Sequence, residues 1–163
     1  EASYEEFRQS KIPRASVMED YTIPKTNFLF LIFYDVRDAI EFVKSFPEGP
    51  LSVQYTISKY EIPRKGDDCG EKNLQSSVNF YFKGLDVSIE DSFISSFLRQ
   101  YGEIREVRNS KPHQKTVEFF DMRSARKAHS ALNESSFGTG VVKCRWVWDL
   151  PLSQRTEYLR LTD

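Results

Sequence analysis

The feature that most constrains this chain is an internal repeat, because two copies of one unit are expected to fold alike. The segment Phe33–Ala39 reads FYDVRDA, and Phe119–Ala125 reads FFDMRSA, 86 positions later. In each copy an aromatic strand is followed by an Asp that is suited to cap a helix through its carboxylate. The same offset relates Phe7 to Phe93. We therefore interpret the chain as two copies of one unit.

The second copy contains a complete series of strand and helix signals. Alternating apolar residues predict strands, and apolar residues three or four positions apart predict helices. In chain order, these patterns predict strand Val78–Leu85, helix Ser88–Tyr101, strand Glu103–Ser110, strand Gln114–Asp121, helix Met122–Asn133, a Ser/Gly-rich loop at Glu134–Gly140 and strand Val141–Trp148. The order is βαββαβ, which is the ferredoxin-like α+β sandwich with both helices on one face of the sheet.

The first copy shows the same signals without an opening strand. Its patterns predict helix Ser3–Gln9, strand Ser16–Ile23, strand Phe28–Tyr34, helix Val36–Phe46 and strand Leu51–Ile57. At the repeat offset the opening strand would precede residue 1, so we expect the natural protein to extend upstream or another molecule to fill that place. Capping boxes that begin at Ser3 and Ser88 are predicted to start the first helix of each copy. Arg37 and Arg123 are expected to hold neighbouring acids or carbonyls.

These signals divide the chain into four parts. The first unit is predicted to span residues 1–58, and the second unit residues 77–150. Between them, residues 59–76 carry Pro63, Gly66 and Gly70 among charged residues and are predicted to be a linker. Residues 151–163 form a tail that is suited to a short helix.

Composition excludes several classes of function. With a net charge of −1, the chain is not a generally basic nucleic-acid-binding protein, so any such affinity must come from local placement of charge. Two Cys and two His form no spaced cluster, and we expect no metal, no cofactor and no disulfide scaffold. No nucleophile–base pair or glycine-rich phosphate loop indicates an enzyme. The longest apolar run, Phe28–Phe33, is too short to span a membrane, and we expect the protein in the nucleus, the cytoplasm or both.

A βαββαβ unit with aromatic strands resembles the RNA recognition motif (RRM), in which exposed aromatics on two central strands stack on bases. The hexamer motif of that family corresponds to Phe80–Leu85, with Tyr81 at the stacking position. The octamer motif corresponds in the first copy to Thr26–Phe33, with Phe28 and Phe30 at its two stacking positions. The resemblance implies a stacking surface in each copy.

The second copy departs from the octamer pattern. Its octamer corresponds to Pro112–Phe119, where Gln114 and Thr116 occupy the positions of the stacking aromatics. Each stacked base contributes on the order of 1–3 kcal/mol to the free energy of binding, so a surface with one aromatic in place of three loses that amount for each missing base. We therefore expect RNA binding by the second copy to be weak or unconventional.

Longer stretches resemble one family more closely. The stretches Tyr101–Arg108, Val117–Ala125 and Ala131–Asn133 are similar to the second RRM of the Mei-two-like proteins, which are RNA-binding regulators of meiosis. The stretches Phe33–Ala39 and Val53–Lys59 are similar to their first RRM and the start of the linker. The resemblance implies two RRMs in tandem and a role in post-transcriptional regulation of mRNA, with meiosis as one setting.

We predict on these grounds that the chain binds single-stranded RNA. Bases would stack on Phe28, Phe30 and Tyr81, and phosphates would be held by Lys83, Arg108, Lys143 and Arg145. The alternative is a degenerate RRM that serves protein interaction or dimerisation through the first copy. In that interpretation a protein partner covers the open apolar face that strand alternation assigns to Phe28, Phe30 and Ile32.

Overall fold

The computed structural model describes residues 17–23, 28–55 and 76–149. They fall into two compact units, the first containing residues 17–23 and 28–55 and the second containing residues 76–149. The predicted helix at Ser3–Gln9, nearly all of the predicted linker and the tail at 151–163 lie outside the described residues. No helix within the described ranges has both the length and the apolar character needed to cross a membrane.

The first unit contains two antiparallel strands followed by one helix. Strand β1 spans Val17–Ile23, β2 spans Phe28–Phe33 and helix α1 spans Val36–Ser45. Within this sheet Ile23 pairs with Phe28, and Tyr21 pairs with Phe30. The ring of Phe33 lies 5.5 Å from that of Phe42, so the helix packs on the side of β2 to which Phe33 points. These elements confirm two predicted strands and one predicted helix.

The strand predicted at Leu51–Ile57 is wrong for residues 51–55, which form neither strand nor helix. In a βαββαβ sheet the last strand pairs with the opening strand. Among the described residues, the sheet of the first unit consists of β1 and β2 alone. A strand needs a hydrogen-bonded neighbour, and the predicted last strand has none in this sheet.

The second unit contains every element that its sequence predicts, together with one additional strand. The elements are β3 Ser77–Lys83, α2 Asp91–Leu98 with a 3₁₀ turn at Arg99–Tyr101, β4 Ile104–Lys111, β5 Gln114–Phe119, α3 Met122–Leu132, β6 Ser135–Phe137 and β7 Gly140–Val147. The strands form one antiparallel sheet in the order β4-β5-β3-β7-β6. The predicted α+β, ferredoxin-like order is therefore confirmed for this unit, whereas the first unit shows only part of it.

Helix α2 begins three residues later than predicted. Its N-cap is Glu90, whose side chain makes no capping hydrogen bond, so the capping box predicted at Ser88 is wrong. The backbone N–H of Ile89 donates instead to the carbonyl of Pro112 at 2.7 Å, and the Ile89 side chain is buried. This contact holds residue 89 against the β4–β5 turn, so the helix begins beyond it.

The segment predicted as a loop at Glu134–Gly140 contains β6, which forms a hairpin with β7. Phe137 fixes this hairpin, because its ring lies 5.1 Å from Phe82 and 5.5 Å from Phe97. The Ser and Gly residues of the segment indicated a loop, and the single aromatic within it decides the structure.

The two copies use the same cap at equivalent positions. Asp35 and Asp121 have backbone angles of −111°, 127° and −111°, 126°, and each carboxylate accepts a hydrogen bond at 2.8 Å from the backbone N–H two residues later. The guanidinium groups of Arg37 and Arg123 pair with these same carboxylates at 2.7 and 2.8 Å. The predicted cap and the predicted structural role of both arginines are confirmed.

The core of the second unit lies between β3, β5 and β7 on one side and the two helices on the other. It includes Phe80, Phe119, Ile94 and Leu98, each almost completely buried. Cys144 packs at the edge of this core, where burial raises the pKa of its thiol to about 12. The thiol is therefore protonated and unreactive near neutral pH.

Equivalent faces of α1 and α3 differ in burial. Four residues on the inner face of α3 are buried: Met122, Ala125, Ala128 and Leu132. Their counterparts at the repeat offset are Val36, Ala39, Phe42 and Phe46, and all four are only partly buried. The same amphipathic helix thus covers a complete core in the second unit and a partial one in the described first unit.

Candidate nucleic-acid interface

The helix-free face of the second sheet is set by alternation along its central strand, β3. Val78, Phe80 and Phe82 point towards the helices and are 0–2% exposed. Tyr81 and Lys83 therefore point away from the helices, and Tyr81 is 43% exposed. Tyr81 is the exposed aromatic that the RRM resemblance places at a stacking position.

Strand register arranges this face in three rows that cross β5, β3 and β7, because residues paired across antiparallel strands point to the same side. The first row is Gln114, Tyr81 and Lys143; the second is Thr116, Asn79 and Arg145; the third is Glu118, Ser77 and Val147. The side chains differ from row to row: the first row has an aromatic ring and a cation, and the third has a buried carboxylate.

The cations nearest to Tyr81 come from β3 and β7. Lys143 is its direct cross-strand neighbour on β7 and forms an ion pair with Glu134. Lys83 and Arg145 are exposed, and neither forms an ion pair with another described residue. Four of the predicted site residues, Tyr81, Lys83, Lys143 and Arg145, are thus brought together on one face of one sheet.

The positions that stacking aromatics would occupy on β5 are filled by a ladder of polar side chains. Gln114 Nε2 donates to Asn79 Oδ1 at 3.0 Å, and Asn79 Nδ2 donates to Thr116 Oγ1 at 3.0 Å. Thr116 and Asn79 are 2% and 6% exposed, whereas Gln114 is partly exposed. The ladder satisfies the buried amide of Asn79 and fixes the carboxamide of Gln114 beside Tyr81.

The third row is occupied by ion pairs around Glu118, a carboxylate with a 2% exposed side chain. The guanidinium groups of Arg105 and Arg108 both reach Glu118, and both also pair with Glu106, at 2.8 and 3.1 Å. A bulge in β4 lets Arg105 take part, because Arg105 and Glu106 together oppose Glu118 in the ladder. The cluster fills the part of the sheet face that lies next to β4.

Arg108, which the sequence predicts as a phosphate contact, uses its guanidinium within the protein. Besides the two glutamates, it donates to Ser77 Oγ at 2.8 Å and to the carbonyl of Trp148 at 3.2 Å. Ser77 in turn donates its hydroxyl to Asp149 at 2.5 Å. With its donors engaged and its side chain 13% exposed, Arg108 is poorly placed to hold a phosphate.

Lys115, another cation of this unit, is also paired. Lys115 is buried on the helix side of β5 and lies 2.9 Å from the carboxylate of Asp91. A hydrogen bond from Ser110 and the bond from Lys115 lower the pKa of Asp91. Lys115 therefore stabilises the contact between α2 and the sheet and is not part of the open face.

In the first unit, two of the three predicted apolar positions are accessible. Phe28 is 59% exposed and Phe30 is partly buried. Ile32, expected to be exposed on the same face, is only 8% exposed, so its predicted exposure is wrong. The accessible aromatic surface of β2 is therefore limited to its first half.

Sequence reasoning missed Asn79 as a part of this surface, and it missed the ion pair between Arg105 and Glu118. Asn79 could have been found, because it precedes Tyr81 by two residues and must share its face. The pairing of Arg105 could not be predicted, because the bulge that turns this residue towards Glu118 has no signal in the sequence. Within the described ranges, no group of three or more His, Cys, Asp or Glu side chains is arranged to hold a metal ion.

Comparison with known proteins confirms the resemblance to the Mei-two-like family. Protein MEI2-like 5 of Arabidopsis thaliana is 32% identical over 114 residues, which is 69% of this chain and 14% of that protein. Protein MEI2-like 2 of Oryza sativa subsp. japonica is 28% identical over 126 residues, or 76% of this chain and 14% of that protein. The chain thus spans less than a sixth of the length of these relatives. No protein-family model matches the chain.

Solved structures that are similar to part of the chain include an RRM and a protein/RNA complex. The Rna15 RRM with bound RNA (GU) is 15% identical, with a TM-score of 0.41 over 53% of this chain and 97% of that one. The Sxl-lethal protein/RNA complex is 14% identical, with a TM-score of 0.40 over 47% of this chain and 48% of that one.

We predict that Glu118→Ala lowers the free energy of unfolding of the second unit by about 3 kcal/mol, because it leaves two largely buried guanidinium groups without their shared carboxylate. Urea denaturation followed by tryptophan fluorescence measures this, since Trp146 and Trp148 are the chain's two tryptophans and belong to the second unit. Glu90→Ala, at an exposed carboxylate that makes no capping bond, is the control and should change stability by less than about 0.5 kcal/mol. Equal effects of the two variants would contradict a stabilising role for the cluster.

Proposed function

We propose that this chain, which resembles the Mei-two-like proteins, binds single-stranded RNA and that its second unit does so on the helix-free face of the sheet. The observation that carries the proposal is Tyr81, an exposed aromatic at the centre of that face with cations beside it. Any base can stack on such a ring, and nearby cations favour the phosphates on either side of it.

The bound strand would contact Tyr81 and the cations beside it and would avoid the third row. Lys83, Lys143 and Arg145 supply positive charge near Tyr81. The third row and the side chains bonded to it instead hold three carboxylates, Glu106, Glu118 and Asp149, against two guanidinium groups. A phosphate gains nothing from approaching arginines that are already paired. We therefore omit Arg108 from the proposed phosphate contacts and retain Lys83, Lys143 and Arg145.

The first unit offers a separate stacking surface at the start of β2. Phe28 is largely exposed and Phe30 follows it on the same face. This surface has the aromatics that the second unit lacks, so the proposal includes base stacking on both rings. Regulation of mRNA after transcription, including in meiosis, and action in the nucleus, the cytoplasm or both are further parts of the same proposal.

We expect Tyr81→Ala to weaken binding of a short single-stranded RNA by the whole chain about tenfold, since one stacked base contributes on the order of 1–3 kcal/mol. Fluorescence anisotropy with a labelled oligonucleotide at low salt measures the change. Phe93→Ala is a matched control, because Phe93 is 46% exposed on α2, on the other side of the sheet.

Equal losses in these two variants would show that the effect is not specific to the proposed face. No binding of the unaltered chain at low salt would reject RNA binding altogether. Arg145→Gln, compared with Lys127→Gln on α3, tests the cations in the same assay: the first should reduce the salt dependence of binding, and the second should leave it unchanged.

A second candidate function, protein interaction through the first unit, is favoured by the incomplete burial of α1. None of its residues is fully buried, although its apolar face matches the buried face of α3. A protein partner or a second copy of the chain that covered the first unit, including the exposed Phe28 on β2, would remove apolar area from water.

Sedimentation velocity over a range of concentrations tests the homodimer form of this candidate. It predicts a sedimentation coefficient that rises with concentration, and that Phe28→Ser suppresses the rise, because Phe28 is the most exposed of the large apolar side chains on β2. A chain that stays monomeric at every concentration would reject the dimer, while leaving RNA binding to be judged by anisotropy.

A further inference from the structure

Stacking on Tyr81 does not by itself distinguish one base from another, because every base has a π-face. Selection between bases therefore requires a hydrogen-bonding group that reaches the edge of the stacked base. Gln114 is the direct cross-strand partner of Tyr81 on β5, and such partners have Cβ atoms about 4.5–5.5 Å apart. Its carboxamide is thus placed beside any base that stacks on the tyrosine ring.

The carboxamide of Gln114 is held in place from the protein side. One of its two N–H groups donates to Asn79 Oδ1 at 3.0 Å, and Asn79 is itself held by Thr116. A carboxamide offers two N–H donors and one carbonyl acceptor. One N–H and the carbonyl oxygen of Gln114 therefore remain available to a ligand, side by side and on a partly exposed side chain.

A paired donor and acceptor of this kind match one base edge especially well. Adenine presents the N6 amino group and the N7 acceptor next to each other, and Gln or Asn recognises this pair with two hydrogen bonds. Guanine presents two acceptors at the equivalent edge and is matched by Arg or Lys. The cation nearest to Tyr81, Lys143, is paired with Glu134, which reduces its capacity to select guanine.

We propose that the first row is an adenine-selective nucleotide site, in which Tyr81 stacks on the base and Gln114 reads its N6 and N7 atoms. Asn79 and Thr116 are positioning residues, because they are too deeply buried to touch a base and act by orienting the Gln114 carboxamide. This inference rests on the proposed RNA-binding function and adds base selection to it. At this site, hydrogen bonding by Gln114 takes the place of a stacking aromatic on β5.

The test compares the affinities with which the whole chain binds short single-stranded oligonucleotides of adenine, uracil and cytosine. We expect the adenine oligonucleotide to bind roughly tenfold more tightly than the other two. Gln114→Leu should remove this preference, so that the three oligonucleotides bind with similar affinity. Gln100→Leu, at an exposed glutamine of the 3₁₀ turn, is the matched control and should retain the preference.

A second measurement changes the base, and its decisive comparison is made on the unaltered chain. Replacing adenine by purine removes the N6 amino group, and replacing it by 7-deazaadenine removes the N7 acceptor. Each replacement should weaken binding to the unaltered chain several-fold. Neither should change the affinity of the Gln114→Leu variant for the oligonucleotide. Unchanged affinity for both analogues would overturn the proposed contacts, whether or not Gln114→Leu folds normally.

Failure of this inference and failure of RNA binding give different results. If the oligonucleotides bind in a Tyr81-dependent manner but without a preference for adenine, or if Gln114→Leu retains that preference, only the adenine site is rejected. If no oligonucleotide binds, RNA binding itself is rejected, and base selection with it.

Discussion

The central strand β3 organises both the core and the candidate interface of the second unit, because its side chains alternate between the two faces of the sheet. It is hydrogen-bonded to β5 on one side and to β7 on the other. Its inward residues are buried against the helices, and its outward residues place Tyr81 at the centre of the open face. A shift of one residue in register would expose Phe80 and Phe82 and bury Tyr81 and Lys83.

The described elements of the first unit include no strand equivalent to β3. Its cap at Asp35 is the same as the cap at Asp121 to within a degree, so local sequence suffices to begin α1 and α3 alike. Burial does not follow from the cap, because it depends on the strands beneath the helix. The partial burial of α1 and the lack of strand structure at residues 51–55 are therefore consistent with a single cause, the lack of a central strand among the described residues.

Most of the architecture of the second unit could be predicted from sequence, because periodicity and caps report directly on strands and helices. Departures arose where tertiary contacts decide the outcome. The backbone of Ile89 is held by Pro112, which delays α2, and Phe137 turns a Ser/Gly-rich segment into a strand. For the candidate site, alternation correctly placed Tyr81 and Lys83 on the open face. The engagement of Arg108 depends on residues distant in sequence, such as Ser77 and Trp148, which a pattern of charges does not reveal.

The central claim is that RNA contacts the helix-free face at Tyr81 and the cations beside it. Nuclear magnetic resonance titration of the isotope-labelled chain with a single-stranded adenine oligonucleotide tests this residue by residue. The account predicts that backbone amide signals of Tyr81, Lys143 and Arg145 shift together on binding, while those of Arg126 and Lys127 on α3 stay in place. Shifts confined to α2 and α3, with the β3 and β7 signals unchanged, would contradict it.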